Sequence, residues 1–556
     1  MKGSQAIIKS LEQQGVKHIF GHPGGAILDV YDALYDSDIE HILVRHEQCA
    51  AHAADGYARA SGKIGVCMAT SGPGATNLLT GIATANADSS PIIAITGQVP
   101  TSLMGADAFQ ESDAISLTLP ITKYNMLLDD PKNIHVKLKE AFEIAFDGRQ
   151  GPVHVDIPKD IQQAEVTIDF SKSKPKINTI PEPNLNDVKN AIELLLNAER
   201  PVIYAGGGVI LSNASELLTK LAEALMAPVV TSIRGKGAIP ETHHLSMGMI
   251  GMHGSKFANK VISDSDCILG IGARFSDRST YYYSSDFGER AKIIHVDVDP
   301  SEIGKNVPTD VQIITSAEKA VKMMLDVLKI QAVKPKNTVW HQRIQQIRKL
   351  NPPIKDDYND VPIKPPRIIK EIREILGEDD IVTAEVGQCE MWAAMLYPIR
   401  KPRTMIISTG MGTMGFGYPA AIGAKVAKPD RNVVDIAGDG SLLMVCQEIS
   451  TAVNHDIPVV AVVINNRYLG LVRQWQELFY DKHYSGVDLG DKTDFVKLAE
   501  AFGAGGIRVE KPEDIRPAIK QALSADIPYI VDVIVEKEFN VLPMVPMGGR
   551  LDDMIG

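Results

Sequence analysis

The sequence predicts an α/β protein with three doubly wound domains and mainly parallel sheets. Short Val- and Ile-rich runs alternate with helical stretches along the 556 residues, and several runs are apolar throughout instead of alternating with polar residues. Such runs are typical of parallel strands that helices cover on both faces. One hydrophobic core rarely extends beyond about 250–300 residues, so a chain of this length should contain several domains.

Nine runs are the clearest strand candidates in this pattern. They are residues 64–70, 91–97, 152–158, 201–208, 267–273, 292–299, 432–440, 458–466 and 529–535. Near the start of the chain, residues 1–21 are typical of an amphipathic helix that runs into a strand. Residues 42–44 are predicted to end a further buried strand.

Two polar stretches rich in Pro, Lys and Asn interrupt the alternation and are predicted to be linkers. They are residues 167–186 and 347–366. The linkers delimit three blocks of ordinary domain size, which are residues 1–166, 187–346 and 366–540. The remaining tail, residues 541–556, is rich in Pro, Gly and Met, and we expect it to form a cap.

Composition excludes several classes of function. The formal net charge is −12 and no long basic run is present, so nucleic acid is not an expected partner. No run approaches the roughly 18 apolar residues of a membrane span, and the N-terminal sequence lacks the features of a signal peptide. The five cysteines are scattered without CxxC spacing, so neither a disulfide framework nor a zinc site is expected. A protein of the reducing cytoplasm is therefore predicted.

The most informative stretch connects a Gly-Asp-Gly turn with an Asn-Asn pair. Gly438-Asp439-Gly440 follows an apolar strand and opens a helix, and the next strand ends at Asn465-Asn466. The 24 residues between the two motifs, 441–464, are the length of one helix plus one strand. Both strand ends should then be neighbours at the carboxyl edge of a parallel sheet, where such folds bind ligands.

These residue types predict a magnesium and diphosphate site at that edge. Asp439 and Asn466, with the backbone carbonyl of Tyr468, offer the hard oxygen ligands that Mg²⁺ prefers. Ser441 lies in the first turn of the helix, whose N-terminus favours an anion. The alternative interpretation is an ordinary Asp-Gly turn with an unrelated Asn pair.

A carboxylate also stands where an apolar strand gives way to a helix. Ile42–Val44 is followed by Arg45, His46 and Glu47, and then by a helix rich in small residues. An unpaired carboxylate near the core is costly, so Glu47 should have a function or a partner. The simpler alternative is a salt bridge to Arg45 or to another cation.

The Gly-Asp-Gly and Asn-Asn pattern resembles the signature of thiamine diphosphate-dependent enzymes, and the resemblance covers nearly the whole chain. The motifs are similar to those of the catalytic subunits of the acetohydroxyacid synthase (acetolactate synthase) family. In chain order they are FGHPGGAILDVYDAL, RHEQCAAHAADGYARASG, TSGPGATNLLTGIATA, DAFQESD, GPVHVDIPKDIQ, GMHGSKFAN, GARFSDR, MGTMGFGYPAAIGA, LGLVRQWQELFYDKHYS and VLPMVPMGG.

The resemblance implies a fold and an activity. Block 1–166 would bind the pyrimidine of thiamine diphosphate, 187–346 would be an FAD-binding-like central domain, and 366–540 would bind the diphosphate and Mg²⁺. Pyruvate would be decarboxylated and ligated to a second pyruvate or to 2-oxobutanoate, giving 2-acetolactate or 2-aceto-2-hydroxybutanoate for isoleucine and valine biosynthesis. The implied partners are further copies in a homodimer or homotetramer, with active sites between subunits, and a small regulatory subunit.

The family's reaction-centre residues carry over by position. Glu47 would hydrogen-bond the aminopyrimidine ring and activate the cofactor. Gly412 would offer a carbonyl to its amino group, Met414 would hold its bent form, and Gln388 would lie by the diphosphate. The other implied residues are Gly25, Phe109, Gln110 and Lys159, the last three reaching in from a neighbouring subunit, and Arg278 and Trp475, which would face the second ketoacid.

The middle block places glycines and Asp297 at predicted strand ends, and together its motifs resemble an FAD site. Asp297 could accept a ribose hydroxyl, as in related nucleotide-binding folds. The residues implied to line the site are Arg149, Gly207, Ser232, Gly251, Met252, His253, Gly272, Arg274, Asp297 and Val298.

Some positions depart from the family pattern. The usual Gly-Gln-His-Gln is here Gly-Gln-Cys389-Glu390, which removes a His from the diphosphate and adds an acid nearby. Ser276 replaces an Asp of the flavin motif, and Tyr468 replaces the His that follows the Asn pair. These changes bear on how tightly the chain binds its cofactors.

The sequence leaves two other functions open. A flavin-dependent pyruvate oxidase would share the fold and both cofactors, although Arg278 and Trp475 argue against it. A catalytically inactive binding or regulatory protein could also use this fold, although Glu47, Asp439 and Asn466 are all present.

Overall fold

The computed structural model describes residues 1–171, 180–280, 291–330, 339–546 and 548–556. Within these residues the chain forms three six-stranded parallel sheets interleaved with helices. The α/β class and the mainly parallel sheets predicted from the sequence are confirmed. No helix in the described part of the chain is long and apolar enough to cross a membrane.

The N-terminal sheet has the strand order β2-β1-β3-β4-β6-β5. Its strands are β1 (His18–Gly21), β2 (Glu40–Leu43), β3 (Gly65–Ala69), β4 (Ile92–Gln98), β5 (Tyr124–Leu127) and β6 (Val153–Pro158). Its helices are α1 (Gly3–Gln13), α2 (Leu28–Tyr35), α3 (Glu47–Ser61), α4 (Pro73–Ala87), α5 (Ala114–Thr118), α6 (Ile134–Phe146) and α7 (Lys159–Gln163).

The central sheet has the order β12-β11-β10-β7-β8-β9. Its strands are β7 (Pro201–Ala205), β8 (Val229–Thr231), β9 (Ser246–Met249), β10 (Cys267–Ile271), β11 (Lys292–Asp297) and β12 (Val311–Ile314). The helices are α8 (Leu185–Asn197), α9 (Gly207–Leu211), α10 (Ser215–Leu225), α11 (Lys256–Ser263), α12 (Asp277–Thr280), α13 (Ala317–Ile330) and α14 (Val339–Leu350).

The C-terminal sheet has the order β14-β13-β15-β16-β18-β17. Its strands are β13 (Ile381–Ala384), β14 (Met405–Ile407), β15 (Val433–Gly438), β16 (Val460–Asn465), β17 (Gly505–Val509) and β18 (Tyr529–Ile534). The helices are α15 (Pro365–Ile375), α16 (Gln388–Leu396), α17 (Gly417–Ala427), α18 (Asp439–Leu443), α19 (Glu448–Asn454), α20 (Gly470–Phe479), α21 (Phe495–Ala501) and α22 (Pro512–Ser524).

Complete burial explains the apolar runs. Every residue of β3, β4, β6, β10 and β16 is buried, because helices cover both faces of these inner strands. All nine predicted strands are present, and each of the three sheets lies within one predicted block. Several shorter strands were not among the nine, including β9, β14 and β17.

Helices α3 and α17 bind the N-terminal domain to the C-terminal domain without intervening side chains. A Cβ at Gly56 would lie 2.1 Å from the carbonyl oxygen of Ala420, and one at Gly423 would lie 1.9 Å from that of Ala53. Only glycine permits two helix backbones to approach this closely. The contact fixes the relative position of the first and third sheets within one chain.

A buried cluster of charged groups connects all three domains. Arg59 on α3 forms ion pairs with Asp55 and with Asp88, which ends α4, at 2.6 and 2.9 Å. The Asp88 carboxylate also accepts hydrogen bonds from the backbone and hydroxyl of Thr409 in the C-terminal domain. Arg234 of the central domain donates to the backbone carbonyl of Asp88 at 2.9 Å. One residue, Asp88, thus contacts each domain.

Candidate active site

Two strand ends of the C-terminal domain meet as the sequence pattern predicts. β15 and β16 pair in parallel, with Gly438 opposite Ile464, so Asp439 and Asn466 emerge side by side at the carboxyl edge. The Asp439 side chain is buried, and burial raises the pKa of its carboxyl to about 7. A bound cation would stabilise the ionised form of such a carboxyl, so this donor set suits a metal ion.

A clamp of amide side chains holds Asn466 in place. Its Nδ2 donates to Gln388 Oε1 at 3.2 Å, and its Oδ1 accepts from the backbone N–H of Tyr468 at 3.0 Å. Gln388 donates in turn to Gln474 Oε1 at 2.9 Å. A Cβ at Gly470 would lie 2.2 Å from Gln388 Oε1, which explains the glycine there. The predicted diphosphate residue, Gln388, therefore adjoins the predicted metal ligand.

The connection between the two motifs differs in detail from the sequence expectation. Two short helices, α18 and α19, precede β16 where one helix was expected. The first begins at Asp439, and Ser441 lies in its opening turn with its hydroxyl donating to the carbonyl of Val386 at 2.8 Å. The two helices have only 5 and 7 residues, so the hydrophobic periodicity of the sequence does not reveal the break between them.

Gly412 and Met414 lie on the loop before α17. Gly412 has a φ of +65°, with open space where a side chain would be, so its backbone is accessible to a ligand. The methyl group of Met414 lies 3.9 Å from the Cβ position of Gly440, which brings this loop to the Gly-Asp-Gly turn. The buried carboxylate of Glu385 fixes the loop by accepting the N–H groups of Gly415 and Tyr418.

Cys389, which departs from the family pattern, is turned into the protein. Its thiol donates to the carbonyl of Glu385 at 2.9 Å, and its sulfur lies 3.3 Å from the Cβ position of Gly438. The thiol therefore supports the Gly-Asp-Gly turn from beneath. Among the other departures, Ser276 lines the large cavity described below.

Glu47 is the first residue of α3 and is half-buried. The helix is capped by His46, whose Nδ1 accepts from the N–H of Gln48. Asn77 Nδ2 donates to Glu47 Oε2 at 2.9 Å. The alternative of a salt bridge to Arg45 is not what the described residues form, since that guanidinium bonds Ser450 and the carbonyl of Leu43.

No sequence motif indicates that Glu448 supports Glu47. The Glu448 carboxylate is fully buried and accepts the backbone N–H groups of Arg45 and His46 at 3.0–3.2 Å. It also accepts the hydroxyl of Thr451 at 2.6 Å. A residue of the C-terminal domain thereby fixes the backbone immediately before Glu47, and only the folded contact reveals it.

The other reaction-centre residues of the N-terminal domain surround the segment after β3. Thr70 lies under Gly24, and its hydroxyl oxygen accepts a hydrogen bond from the backbone N–H of Ala26 at 3.2 Å. Gln110, with a φ of +59°, packs on Gly72. Lys159 Nζ donates to the carbonyl of Gly25 at 3.1 Å.

These contacts bring Gly25, Gln110 and Lys159 towards Glu47, because the Cβ position of Gly74 lies 3.5 Å from Glu47 Oε1. Phe109 belongs to the same loop as Gln110 and is 88% exposed. None of these five residues lines the large cavity of the same chain.

Within one chain, Glu47 and the loop that contains Gly412 and Met414 lie beside different turns of α4. Asn77 on α4 contacts Glu47, whereas Thr84 on the same helix contacts Thr413, next to Gly412, at 2.7 Å. Seven residues separate Asn77 from Thr84, which is about two turns or roughly 10 Å of helix. Glu47 and the loop of Gly412 therefore contact points on α4 that are about two helical turns apart.

A cavity of about 1000 Å³ opens where the three domains meet. Most residues predicted to bind a flavin are on its wall: Arg149, Gly207, Ser232, Met252, His253, Gly272, Arg274, Asp297 and Val298. Gly251 is not among them, because its N–H and carbonyl both bond the side chain of Asn259 behind the wall. Its role as a flavin residue stays a prediction.

Residues of the cavity wall provide groups that suit a dinucleotide. Asp297 ends β11, and burial raises the pKa of its carboxyl to about 6. Its Oδ1 accepts the N–H of Asp299, which leaves Oδ2 for a ligand hydroxyl. Arg149 of the N-terminal domain pairs with Asp299 and Glu302 at 3.3 and 3.0 Å. The volume lies at the upper end of typical ligand pockets.

Arg278 and Trp475 come together at the same cavity. The Arg278 guanidinium lies 5.9 Å from the centroid of the Trp475 ring, and its Nη1 contacts the sulfur of Met252. Trp475 Nε1 has no hydrogen-bond partner among the described residues. The C-terminal tail docks alongside, with the N–H of Val545 donating to the carbonyl of Met252 at 2.8 Å.

The cavity also contains residues that sequence reasoning missed. Asp88, Arg234 and Glu390 all lie on its wall, yet they come from three different domains. Asp88 and Glu390 are buried and Arg234 is half-buried, which departs from the usual exposure of charged side chains. Glu390 was noted only as a departure from the family pattern, and its position facing the cavity could not be read from its neighbours in sequence.

Comparison with known proteins identifies the three domains. The N-terminal and C-terminal thiamine pyrophosphate-binding domains of thiamine pyrophosphate enzymes match residues 1–117 and 385–533, and the central domain of these enzymes matches residues 188–324. Each of the three sheets contains strands that lie within one of these matched ranges.

Full-length relatives are also found. A probable acetolactate synthase large subunit of Methanocaldococcus jannaschii is 52% identical over 100% of this chain and 95% of its own length. The acetolactate synthase isozyme 3 large subunit of Escherichia coli is 42% identical over 100% and 98% of the two chains. An acetolactate synthase of Mycobacterium bovis is 45% identical over 100% and 91%.

Proposed function

The chain belongs to the acetolactate synthase large subunits, a family of thiamine diphosphate-dependent enzymes, and on this basis we propose which of its residues carry the reaction. The enzyme converts two pyruvate molecules into 2-acetolactate and CO₂. The main support for these residue roles is that Asp439 and Asn466 lie next to each other at the ends of the paired strands β15 and β16.

We propose that Asp439, Asn466 and the carbonyl of Tyr468 hold Mg²⁺, which binds the cofactor's diphosphate. Gly438, Gly440 and Ser441 allow that group to approach the N-terminal end of α18, and Gln388 orients Asn466 towards it. Thiamine diphosphate, when bound, supplies the nucleophilic carbon and the electron sink that decarboxylation of a 2-ketoacid requires.

Glu47 is proposed to exchange a proton with the cofactor's aminopyrimidine ring. Asn77 fixes its Oε2, so Oε1, to which no described residue donates a hydrogen bond, is the atom that holds and releases the proton. The carbonyl of Gly412 would accept from the ring's amino group, and Met414 would wedge the bound molecule. Gly25, Phe109, Gln110 and Lys159 would enclose the reacting atoms from the Glu47 side.

A homo-oligomer with shared sites is part of the proposal. The contacts of Glu47 and of the Gly412 loop with α4 lie about two helical turns apart, which supports it. In a homo-oligomer, a cofactor held at Gly412 of one copy would meet Glu47 of a second copy. The exposed Phe109 supports it too, since an 88% exposed aromatic side chain suits a contact with another subunit. Dimer and tetramer both meet this requirement.

The second ketoacid is proposed to bind between Arg278 and Trp475. The guanidinium suits a carboxylate, and the indole ring provides an apolar wall. This pocket would accept pyruvate or the longer 2-oxobutanoate, which gives 2-aceto-2-hydroxybutanoate, so the enzyme would serve isoleucine and valine biosynthesis. The tail, residues 541–556, would cap the pocket from the side of Met252.

The cavity between the three domains is proposed to bind FAD. Its volume of about 1000 Å³, the acceptor on Asp297 and the cation on Arg149 support a dinucleotide ligand. Joining two ketoacids involves no net redox change, so the flavin would have a structural role. We also propose a small regulatory subunit as a partner, because the relatives are named large subunits, and a cytoplasmic location.

The direct test is an acetolactate assay with pyruvate in which Mg²⁺, thiamine diphosphate and FAD are added to cofactor-free enzyme one at a time. Acetolactate should form only when Mg²⁺ and thiamine diphosphate are both present, and FAD should raise the yield. Acetate or acetyl phosphate as the product would instead identify a pyruvate oxidase. No product from folded, fully loaded protein would identify an inactive relative.

A redox-inert deaza analogue of FAD should support acetolactate formation as well as FAD does. The physical reason is that carboligation transfers no electrons to the flavin. The measurement compares product formation with the two flavins while the flavin absorbance is followed. Flavin reduction that keeps pace with each turnover would contradict a structural role.

Replacing Trp475 with Leu should preserve the fold and the pyruvate reaction but reduce the preference for 2-oxobutanoate as acceptor. The two acceptors differ by one methylene, which a hydrophobic pocket converts into roughly 10–200-fold discrimination. A rigid indole supplies that contact better than a flexible Leu. The measurement is a competition between both ketoacids that scores the two products.

Val472→Ala, on the solvent side of the same helix, is the matched control because its side chain is 49% exposed. The control should leave the product ratio unchanged. An unchanged ratio in Trp475→Leu as well would assign the indole to packing alone.

A further inference from the structure

Glu390 is a buried acid without a partner among the described residues. It lies on α16, is 3% exposed, and lines the cavity between the three domains. No described residue donates a hydrogen bond to its carboxyl or forms an ion pair with it. Burial of a polar group without a partner is costly, so its hydrogen-bonding capacity is available to a ligand in the cavity.

The other buried acids on this wall already have partners. Asp88 accepts from Arg59 and Thr409, and Glu302 pairs with Arg149 at 3.0 Å. Asp297 accepts a backbone N–H. Glu390 is therefore distinct among the buried acids of the described wall in offering its whole carboxyl group to the cavity.

The charges that face Glu390 are mainly negative. The charges that act on it are those of Asp88, at the end of α4, and Glu385, after β13. Arg59 and Arg234 bond to Asp88. Burial, with the charges of Asp88 and Glu385, holds the pKa of Glu390 well above its usual range. The neutral, protonated form is thus favoured, and a protonated carboxyl is a hydrogen-bond donor.

We propose that the protonated carboxyl of Glu390 donates a hydrogen bond to an acceptor atom of the flavin ring, which makes flavin binding depend on pH. The inference rests on the proposed flavin site. It extends that site by naming a residue and a property that the family pattern does not contain, since the family has Gln at this position. A protonated Glu has nearly the shape of Gln and offers a donor in the same place, but only Glu can lose it by ionising.

The experiment measures FAD binding to flavin-free enzyme, by quenching of flavin fluorescence, from about pH 5 to about pH 9. Above the pH at which Glu390 ionises, the affinity of the native enzyme should fall by up to about tenfold per pH unit. Glu390→Gln should bind FAD as tightly as the native enzyme does at low pH and should not weaken as the pH rises. Glu390→Met, which keeps the length but has no donor, should bind about 5–100-fold more weakly at low pH.

Glu500→Gln is the matched control, because Glu500 is exposed on α21 and should leave the pH profile unchanged. Equal pH slopes for the native enzyme and Glu390→Gln, or an affinity that rises with pH in the native enzyme, would overturn the inference while leaving the flavin assignment intact. Absence of FAD binding in every variant at every pH would overturn the flavin assignment itself, and the inference with it.

Discussion

Replacing Glu47 with Gln should lower acetolactate formation by about 10²–10⁴-fold, the usual loss when an acid–base group is removed. Gln retains a hydrogen bond from Asn77, so the start of α3 should keep its shape. It cannot exchange a proton, and that exchange is the role proposed for Oε1. The variant should therefore still bind thiamine diphosphate, and the loss should be in kcat.

Steady-state kinetics and cofactor titration check this expectation together. Glu40→Gln is the matched control, because Glu40 lies on β2, is exposed, and pairs its carboxylate with His18 at 3.5 Å instead of with Glu47 or Asn77. Its substitution should leave kcat within about twofold, as for most surface changes. Full activity in a folded Glu47→Gln enzyme would remove Glu47 from the mechanism.

Asp439→Ala should abolish activity at ordinary metal concentrations. Substitution of a residue that only orients a metal ligand typically costs about 10–100-fold in metal affinity, and loss of a direct ligand should cost more. Exhaustive chelation of the native enzyme should have the same effect, and Mg²⁺ with thiamine diphosphate should reverse it. Because burial disfavours the Asp439 charge, the variant itself should fold at least as well as the native protein.

Calorimetric titration with Mg²⁺ and thiamine diphosphate measures the loss of binding directly. Asp430→Ala is a suitable control, since that side chain is 72% exposed and precedes β15, at the opposite end of the strand from Asp439. A chelated, metal-free enzyme that turned over normally would show that Asp439 and Asn466 do not hold a catalytic metal.

Much of the fold follows from composition along the chain. Inner strands such as β4 and β16 are buried on both faces, and that environment requires the continuous apolar runs from which they were predicted. β17 was missed because an edge strand has a less buried environment, and its sequence GGIRV begins with two glycines. β9, with the sequence SMGM, contains no β-branched residue.

The candidate site was predictable where it depends on neighbouring strands. Asp439 and Asn466 follow adjacent strands, so spacing alone places them together. Arg149, Asp88 and Glu390 come from separate domains, and no local periodicity indicates which loops of different domains will meet. Glu448 illustrates the same limit, because it acts on Arg45 through a contact more than 400 residues away in sequence.

The position of Asp88 has a consequence for how the molecule loses its structure. Separation of any one domain from the other two would leave a charged group in the remaining interface without its partner. Removal of one partner of a buried ion pair typically costs about 3–5 kcal/mol. Although burial opposes its charge, Arg59 and Arg234 hold the pKa of Asp88 below its usual range. This stabilisation is complete at neutral pH and is lost only as acid protonates the folded carboxylate. The three domains should therefore melt together, as a single cooperative unit.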